Sequence, residues 1–248
     1  MNFNTILLGM LVFAAIAPTA AYMLYATDKT AESETTTTTV TKAIPDITNI
    51  PQHQDNPLKQ LKEANQCIAC NLANADLSDL DLSRANLSQA DLVEANFSGS
   101  QLINTIFQQA QLEAAQLIEV NASGADFNNA NLNLADLTRS QLMQISLIQA
   151  NLDNAVLTGV ELREAALNEA TLHQAELSEA SLYGAILREA DLSEANLQGA
   201  DLRYTDLTNA NFNGANLEGI QLEGAILPDG SNYSGSDDII ILSGDGQS

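Results

Sequence analysis

Every fifth residue from Leu72 to Leu227 is apolar, and the register never slips. Of these 32 positions, 27 are Leu, four are Phe (Phe97, Phe107, Phe127, Phe212) and one is Ala122. Two residues before each lies a small residue, Ala in 22 of the 32 cases. The residue between is commonly Asp or Asn, as in Ala75-Asp76-Leu77 and Ala195-Asn196-Leu197. A helix cannot use this spacing. Five residues advance about 500° around its axis, so the leucines would scatter over every face. A plain amphipathic strand cannot use it either, because alternation holds for three residues and then breaks. Three alternating residues followed by two polar ones make a short extended piece and a corner. Repetition of that unit gives a straight-sided coil stacked on itself, a solenoid.

The run Ala-(Asp/Asn)-Leu-x-x resembles the pentapeptide repeat family, over about 160 of the 248 residues. The resemblance implies an all-β solenoid, a right-handed quadrilateral β-helix with four pentapeptides per coil and eight coils. At about 4.8 Å between coils the rod is roughly 38 Å long. Leu and Ala point inward and stack on equivalents 20 residues away, leaving a filled core with no tunnel. Leu80, Val120, Ile145, Val160 and Ile220 replace Ala and are expected to bulge the coil locally. Ala122 leaves a small void unless Val120 fills it.

The rest of the chain divides around this domain. Residues 1–26 are a hydrophobic signal or anchor segment. Thr5 to Ala26 carries no charge and as a helix would reach about 33 Å, enough to cross a bilayer core. No Lys or Arg precedes Lys29, so the basic start of a cleaved signal peptide is missing. An uncleaved transmembrane anchor is favoured over secretion after cleavage. Residues 27–56 form a Thr- and Pro-containing linker of low apolar content. Residues 57–69 hold a capping helix and a turn into the repeat. Asn56-Pro57 reads as an N-cap and first helical residue, and Leu58, Leu61 and Ala64 follow at helical spacing. The repeat spans 70–229. Residues 230–248 form an acidic Ser/Gly tail whose apolar run Asp238–Leu242 either caps the last coil as a strand or joins two copies into a homodimer; the cap is favoured.

The residues argue against catalysis. No catalytic, cofactor or metal site is recognised. A metal site at Cys67 and Cys70 would need two more ligands, and the two His, His53 and His173, are not at the H-x3–5-H spacing that supplies them. Cys67 and Cys70 read as structural, with a disulfide expected if the repeat is extracytoplasmic. His53 falls in the linker and His173 on an outward position. The carboxylate pairs Asp79/Asp81 and Asp91/Glu94 lie outward on a rod without a cleft, so a solvated face is the better reading.

Charge says more. The chain has 9 Lys and Arg against 32 Asp and Glu, a net of -23. Bare nucleic acid is excluded as a direct partner. Sorting outward residues by coil side puts about -6 on each of the sides centred on Leu72 and Leu77, but only -2 and -3 on those of Leu82 and Leu87. The less charged half carries Ile103, Ile106, Met143, Ile148, Tyr183, Ile186, Tyr204 and Ile226, a candidate docking stripe. The expectation is a non-enzymatic rod for protein–protein interaction, tethered to a membrane by its N-terminus, with the repeat in the periplasm or a lumen. The alternative comes from the resemblance, since one branch of the family protects gyrase with acidic rods that mimic DNA. The partner is not legible.

Overall fold

The computed structural model describes residues 56–235; the anchor, the linker and the apolar run at 238–242 lie outside the described residues. Helix α1, Pro57–Ala64, opens the described chain. Asn56 Oδ1 accepts from the amides of Leu58 (3.1 Å) and Lys59 (3.2 Å), and Pro57 takes a position that needs no donor. Asn65 ends the helix in the left-handed conformation and donates to Leu61 O at 2.9 Å. Leu61 is buried and Leu58 packs beside it against the core of the coils, as the helical spacing predicts.

From Gln66 onward the backbone is a ladder of parallel bridges, each pairing a residue with the one 20 further on, from Gln66↔Asn86 to Asp206↔Ile226. Four pentapeptides therefore make one turn of the solenoid. No bridged segment is long enough to count as a strand among the described residues. The sheet on each side is one bridge wide per coil, because a corner follows every third residue. The ladder also begins earlier than position 70. Gln66 bridges Asn86, and Cys67 fills a leucine position with 0% exposure. The first unit is hidden from the periodicity because Gln stands for Asp and Cys for Leu. Cys67 and Cys70 are joined by a disulfide, S–S 2.07 Å. It closes the same four-residue turn that a hydrogen bond closes elsewhere.

One unit, Asn131–Ala135, shows why the five-residue period is stable. Asn131 N donates back to Ala110 O at 2.9 Å. Leu132 N and Leu134 N donate forward to Asn151 O (2.6 Å) and Asp153 O (3.0 Å). Ala135 N closes the corner on Leu132 O at 3.0 Å. The remaining donor, Asn133 N, is taken by Asn131 Oδ1 at 3.2 Å. All five amides are satisfied, which a buried or half-buried backbone requires. The residue before each leucine is thus commonly Asp or Asn, because such a side chain accepts the one amide that the ladder leaves over. The same bond recurs at Asp76–Ser78, Asp81–Ser83, Asn121–Ser123, Asp136–Thr138 and Asp206–Thr208.

The fourth residue of a unit carries the corner. Leu134 has φ 60°, and its counterparts lie in the same left-handed region. A single positive φ at the third turn position with an i→i+3 bond is the geometry of a type II turn. Bulky residues at the small inward position deform this corner. Where Ala occupies it, the closing bond is 2.9–3.2 Å, and Val160 stays within that range at 3.2 Å, but the bond lengthens to 3.3 Å at Ile145 and 3.5 Å at Ile220. At Leu80 and Val120 a serine from the next coil enters instead. Ser140 Oγ donates to Leu117 O (2.5 Å) and accepts from Val120 N (3.1 Å). Ser100 Oγ does the same for Leu77 O (2.6 Å) and Leu80 N (3.2 Å). At Leu80 and Val120 the expected bulge is therefore an opened turn healed by a buried hydroxyl.

The leucine columns fill the interior, and nearly all are 0–2% exposed. Phe107 and Phe127 stack with ring centroids 4.4 Å apart, and Phe97 meets Phe107 edge-on at 5.7 Å. These large rings cluster in the coils around Ala122, and Val120 beside it is also buried. Among the described residues every buried side-chain polar atom has a partner.

Candidate interaction surface

The 20-residue register fixes which outward residues share a column, so the sequence charges can be placed. The sides of Leu72 and Leu77 are the acidic half. Within a column, acids almost never occupy successive coils. Glu169 and Glu189 are the single such pair among the described repeat positions. Two carboxylates one rung apart, about 4.8 Å, would repel by about 0.9 kcal/mol even in water. Amides sit above the acids instead. Gln144, Gln149 and Gln174 donate to Glu164, Glu169 and Glu194 at 2.9, 2.8 and 2.7 Å, and Gln198 reaches Glu218 at 3.0 Å. This spacing was legible in the sequence once its 20-residue register was known, and the reading by sides alone missed it.

The eight stripe residues do lie on the sides of Leu82 and Leu87, but they do not form one continuous band. Met143, Tyr183, Ile186 and Tyr204 are exposed, whereas Ile103, Ile106, Ile148 and Ile226 are half-buried. Asp126, Ser146 and Ala166 separate Ile106 from Ile186 in their column. A compact group forms only around Tyr183. Its ring lies 5.2 Å from that of Tyr204, and the Arg203 guanidinium stands 5.7 Å over it. Asp201 fixes Arg203 through two bonds, Nε at 2.8 Å and Nη2 at 2.7 Å. The hydrogen bond from Arg203 holds the Asp201 carboxyl below its usual range, and Asp201 in turn raises the Arg203 guanidinium. Arg163, Ser181, Tyr183, Asp201 and Arg203 line a shallow hollow of about 240 Å³.

Gly224 belongs to this group. A Cβ there would lie 2.6 Å from the Tyr204 ring, so the glycine makes the seat on which the ring rests. Two exposed apolar residues were missed. Leu134, 54% exposed, is on the acidic half, and Ile68, 52% exposed, lies in the first unit. Leu134 occupies the left-handed corner position, which always points outward, so its exposure follows from the repeat.

The remaining candidates are occupied by structural bonds. His173 Nδ1 lies 3.0 Å from Ser193 Oγ, and its amide donates to Asp153 Oδ1 at 3.1 Å. Asp81 accepts from Ser83 N at 3.0 Å, and Asp91 from Asn71 Nδ2 at 3.0 Å. The Ser83 bonds lower the Asp81 pKa, the wrong direction for a general acid. Asp79 and Glu94 are exposed corner residues. His53 lies outside the described residues. Among the described residues no group of His, Cys, Asp and Glu could hold a metal, and no helix is long and apolar enough to cross a membrane.

With this geometry in place, the chain belongs to the pentapeptide repeat family, whose profile, described as pentapeptide repeats, matches eight copies over residues 70–109, 110–147, 135–174, 155–193 and 190–227. Among solved structures it is similar to HetL from the cyanobacterium Nostoc sp. strain PCC 7120, a pentapeptide repeat protein involved in heterocyst differentiation regulation. The two share 31% identity over 71% of this chain and 98% of HetL, with a TM-score of 0.39. QnrB1, a plasmid-mediated fluoroquinolone resistance protein, matches at 22% identity over 64% of this chain and 82% of its own, TM-score 0.39. Rfr23 from the cyanobacterium Cyanothece 51142 matches at 23% over 73% and 99%, TM-score 0.21. No curated protein matches the chain in sequence.

Proposed function

We propose that this chain is a non-enzymatic rod that captures a protein partner on the Tyr183–Tyr204 corner. The observation that carries this reading is the exposed aromatic pair with its fixed guanidinium, on the less acidic half of the repeat. Tyr and Arg are the residue types that anchor interfaces. A filled leucine core leaves the repeat no interior space for a substrate, and Asx bonds occupy carboxylates before the leucines such as Asp81 and Asp136. In this reading the uncharged segment Thr5–Ala26 holds the rod at a membrane, with the repeat on the extracytoplasmic side.

The acidic half suits a DNA-like surface less well. Apart from Glu169 and Glu189, acids in one column recur at every second rung or more, about 10 Å or greater, whereas phosphates along a DNA strand repeat every 3.4 Å. The test is capture of cross-linked partners from intact cells by the wild type and by a Tyr183→Ser/Ile186→Ser/Tyr204→Ser variant. The variant should lose its partners while keeping its circular dichroism spectrum; equal capture refutes the docking corner. Proteolysis of a C-terminal tag in spheroplasts checks the side of the membrane. A protected tag overturns the extracytoplasmic placement, and inhibition of supercoiling by the purified protein would then favour the topoisomerase reading.

A further inference from the structure

The two ends of the solenoid are finished differently. At the start, α1 lays Leu58 and Leu61 against the first coil. At the finish, only one side of the last coil is closed within the described residues. Asn232 bridges Ile226 antiparallel, Tyr233 N donates to Ala225 O at 2.9 Å, and Leu227 N donates to Ser231 O at 2.7 Å. Asn211, Asn216 and Gln221 have bridge partners on the preceding coil alone among the described residues. The core opens at the same place. Leu217 is 9% exposed, and Ala215 and Ile220 are partly exposed. One coil earlier Ala195, Leu197 and Ala200 are all 0%. Such an edge offers unpaired backbone groups and apolar surface together.

We propose that this edge is covered by the chain's own tail, with Ile239–Leu242 lying antiparallel across the side of Leu217. Three observations carry the assignment. First, the direction is set: beyond Asp229 the chain has reversed and runs back along the last coil, Asn232 against Ile226 and Tyr233 against Ala225. Second, the register is set. Carried backward unchanged, it places Ile241 opposite Leu217 and Ile239 opposite Gly219. Six residues from Tyr233 to Ile239 reach about 20 Å, and one side of a 20-residue coil measures at most about 17 Å. Third, the chemistry fits. Ile239-Ile240-Ile241-Leu242 is an apolar run of three β-branched residues and a leucine between Asp237-Asp238 and Ser243-Gly244, so apolar side chains arrive only where the core is open.

Hydrogen exchange on the full-length protein tests this. In the wild type the amides of Leu217 and Gly219 should be protected, to an extent that does not vary with protein concentration. In Ile239→Asp/Ile241→Asp they should exchange at least tenfold faster, while Leu157 in the middle of the rod is unchanged. Deletion of 236–248 should give the same acceleration. Equal exchange in wild type and variants overturns the proposal. Protection that grows with concentration, accompanied by a doubled mass in light scattering, overturns it in favour of a second copy on this edge.

Discussion

Replacing Ser140 by alanine installs the residue that most repeats carry at that position, and it should nevertheless destabilise the rod. The serine hydroxyl spans a turn held open by Val120, donating to Leu117 O at 2.5 Å and accepting from Val120 N at 3.1 Å. Both Ser140 and Val120 are at most 1% exposed. Removing the hydroxyl leaves a buried amide and a buried carbonyl without partners. At roughly 1–3 kcal/mol for each of the two unsatisfied groups, the loss is about 2–6 kcal/mol. Alanine at 120 should reverse much of it. With a small inward side chain the corner can close on its own carbonyl, as Ala135 N does on Leu132 O at 3.0 Å. The double-mutant cycle of Val120→Ala and Ser140→Ala should therefore show coupling of about 1–2 kcal/mol. Solenoids unfold in parts, so guanidinium unfolding is to be read with native-state exchange at the amides of residues 117–125. A Ser140→Ala cost below about 0.5 kcal/mol, or additive single effects, would refute the account of the opened turns.

Asp136→Ala should cost about 0.5–2 kcal/mol and Asp136→Asn close to nothing, because Oδ1 takes Thr138 N at 2.9 Å and needs no charge to do so; thermal unfolding of the two variants checks this. Stability should fall on acidification. Hydrogen bonds from Ser78, Ser83 and Arg203 depress the pKa values of Asp76, Asp81 and Asp201. Their stabilisation is complete above the unfolded value near 3.9 and disappears as pH drops through the lower folded values. An Asp76→Asn/Asp81→Asn variant keeps both caps and should lose less stability between about pH 5 and pH 3 than the wild type, measured by urea unfolding. Gln149→Glu makes three successive acids with Glu169 and Glu189 and removes the 2.8 Å bond to Glu169. It should lower the unfolding midpoint at low salt and recover much of the loss at 1 M salt, where the Debye length is about 3 Å.

The five-residue period, read alone, determines a straight-sided solenoid and its inward columns; four sides per coil came from the family resemblance and are shown by the 20-residue ladder. A helix or a plain strand does not turn a side chain inward at every fifth residue. Composition likewise determines that the rod is acidic and that its core is aliphatic. Asn56-Pro57 determines where α1 begins, because a side-chain acceptor followed by a residue without an amide is the local chemistry of a helix start. The tertiary structure decided the rest, since it depends on contacts 20 residues apart that no local pattern announces. Only the ladder shows that an Asp or Asn before a leucine caps an orphan amide, that Ser140 heals the corner opened by Val120, and that Cys67 is the first inward residue of the coils. The docking stripe was legible as a list of apolar residues. Its contraction to Tyr183, Arg203 and Tyr204 around Gly224 was decided by ring positions across adjacent coils, where burial and stacking act between side chains that the sequence keeps apart.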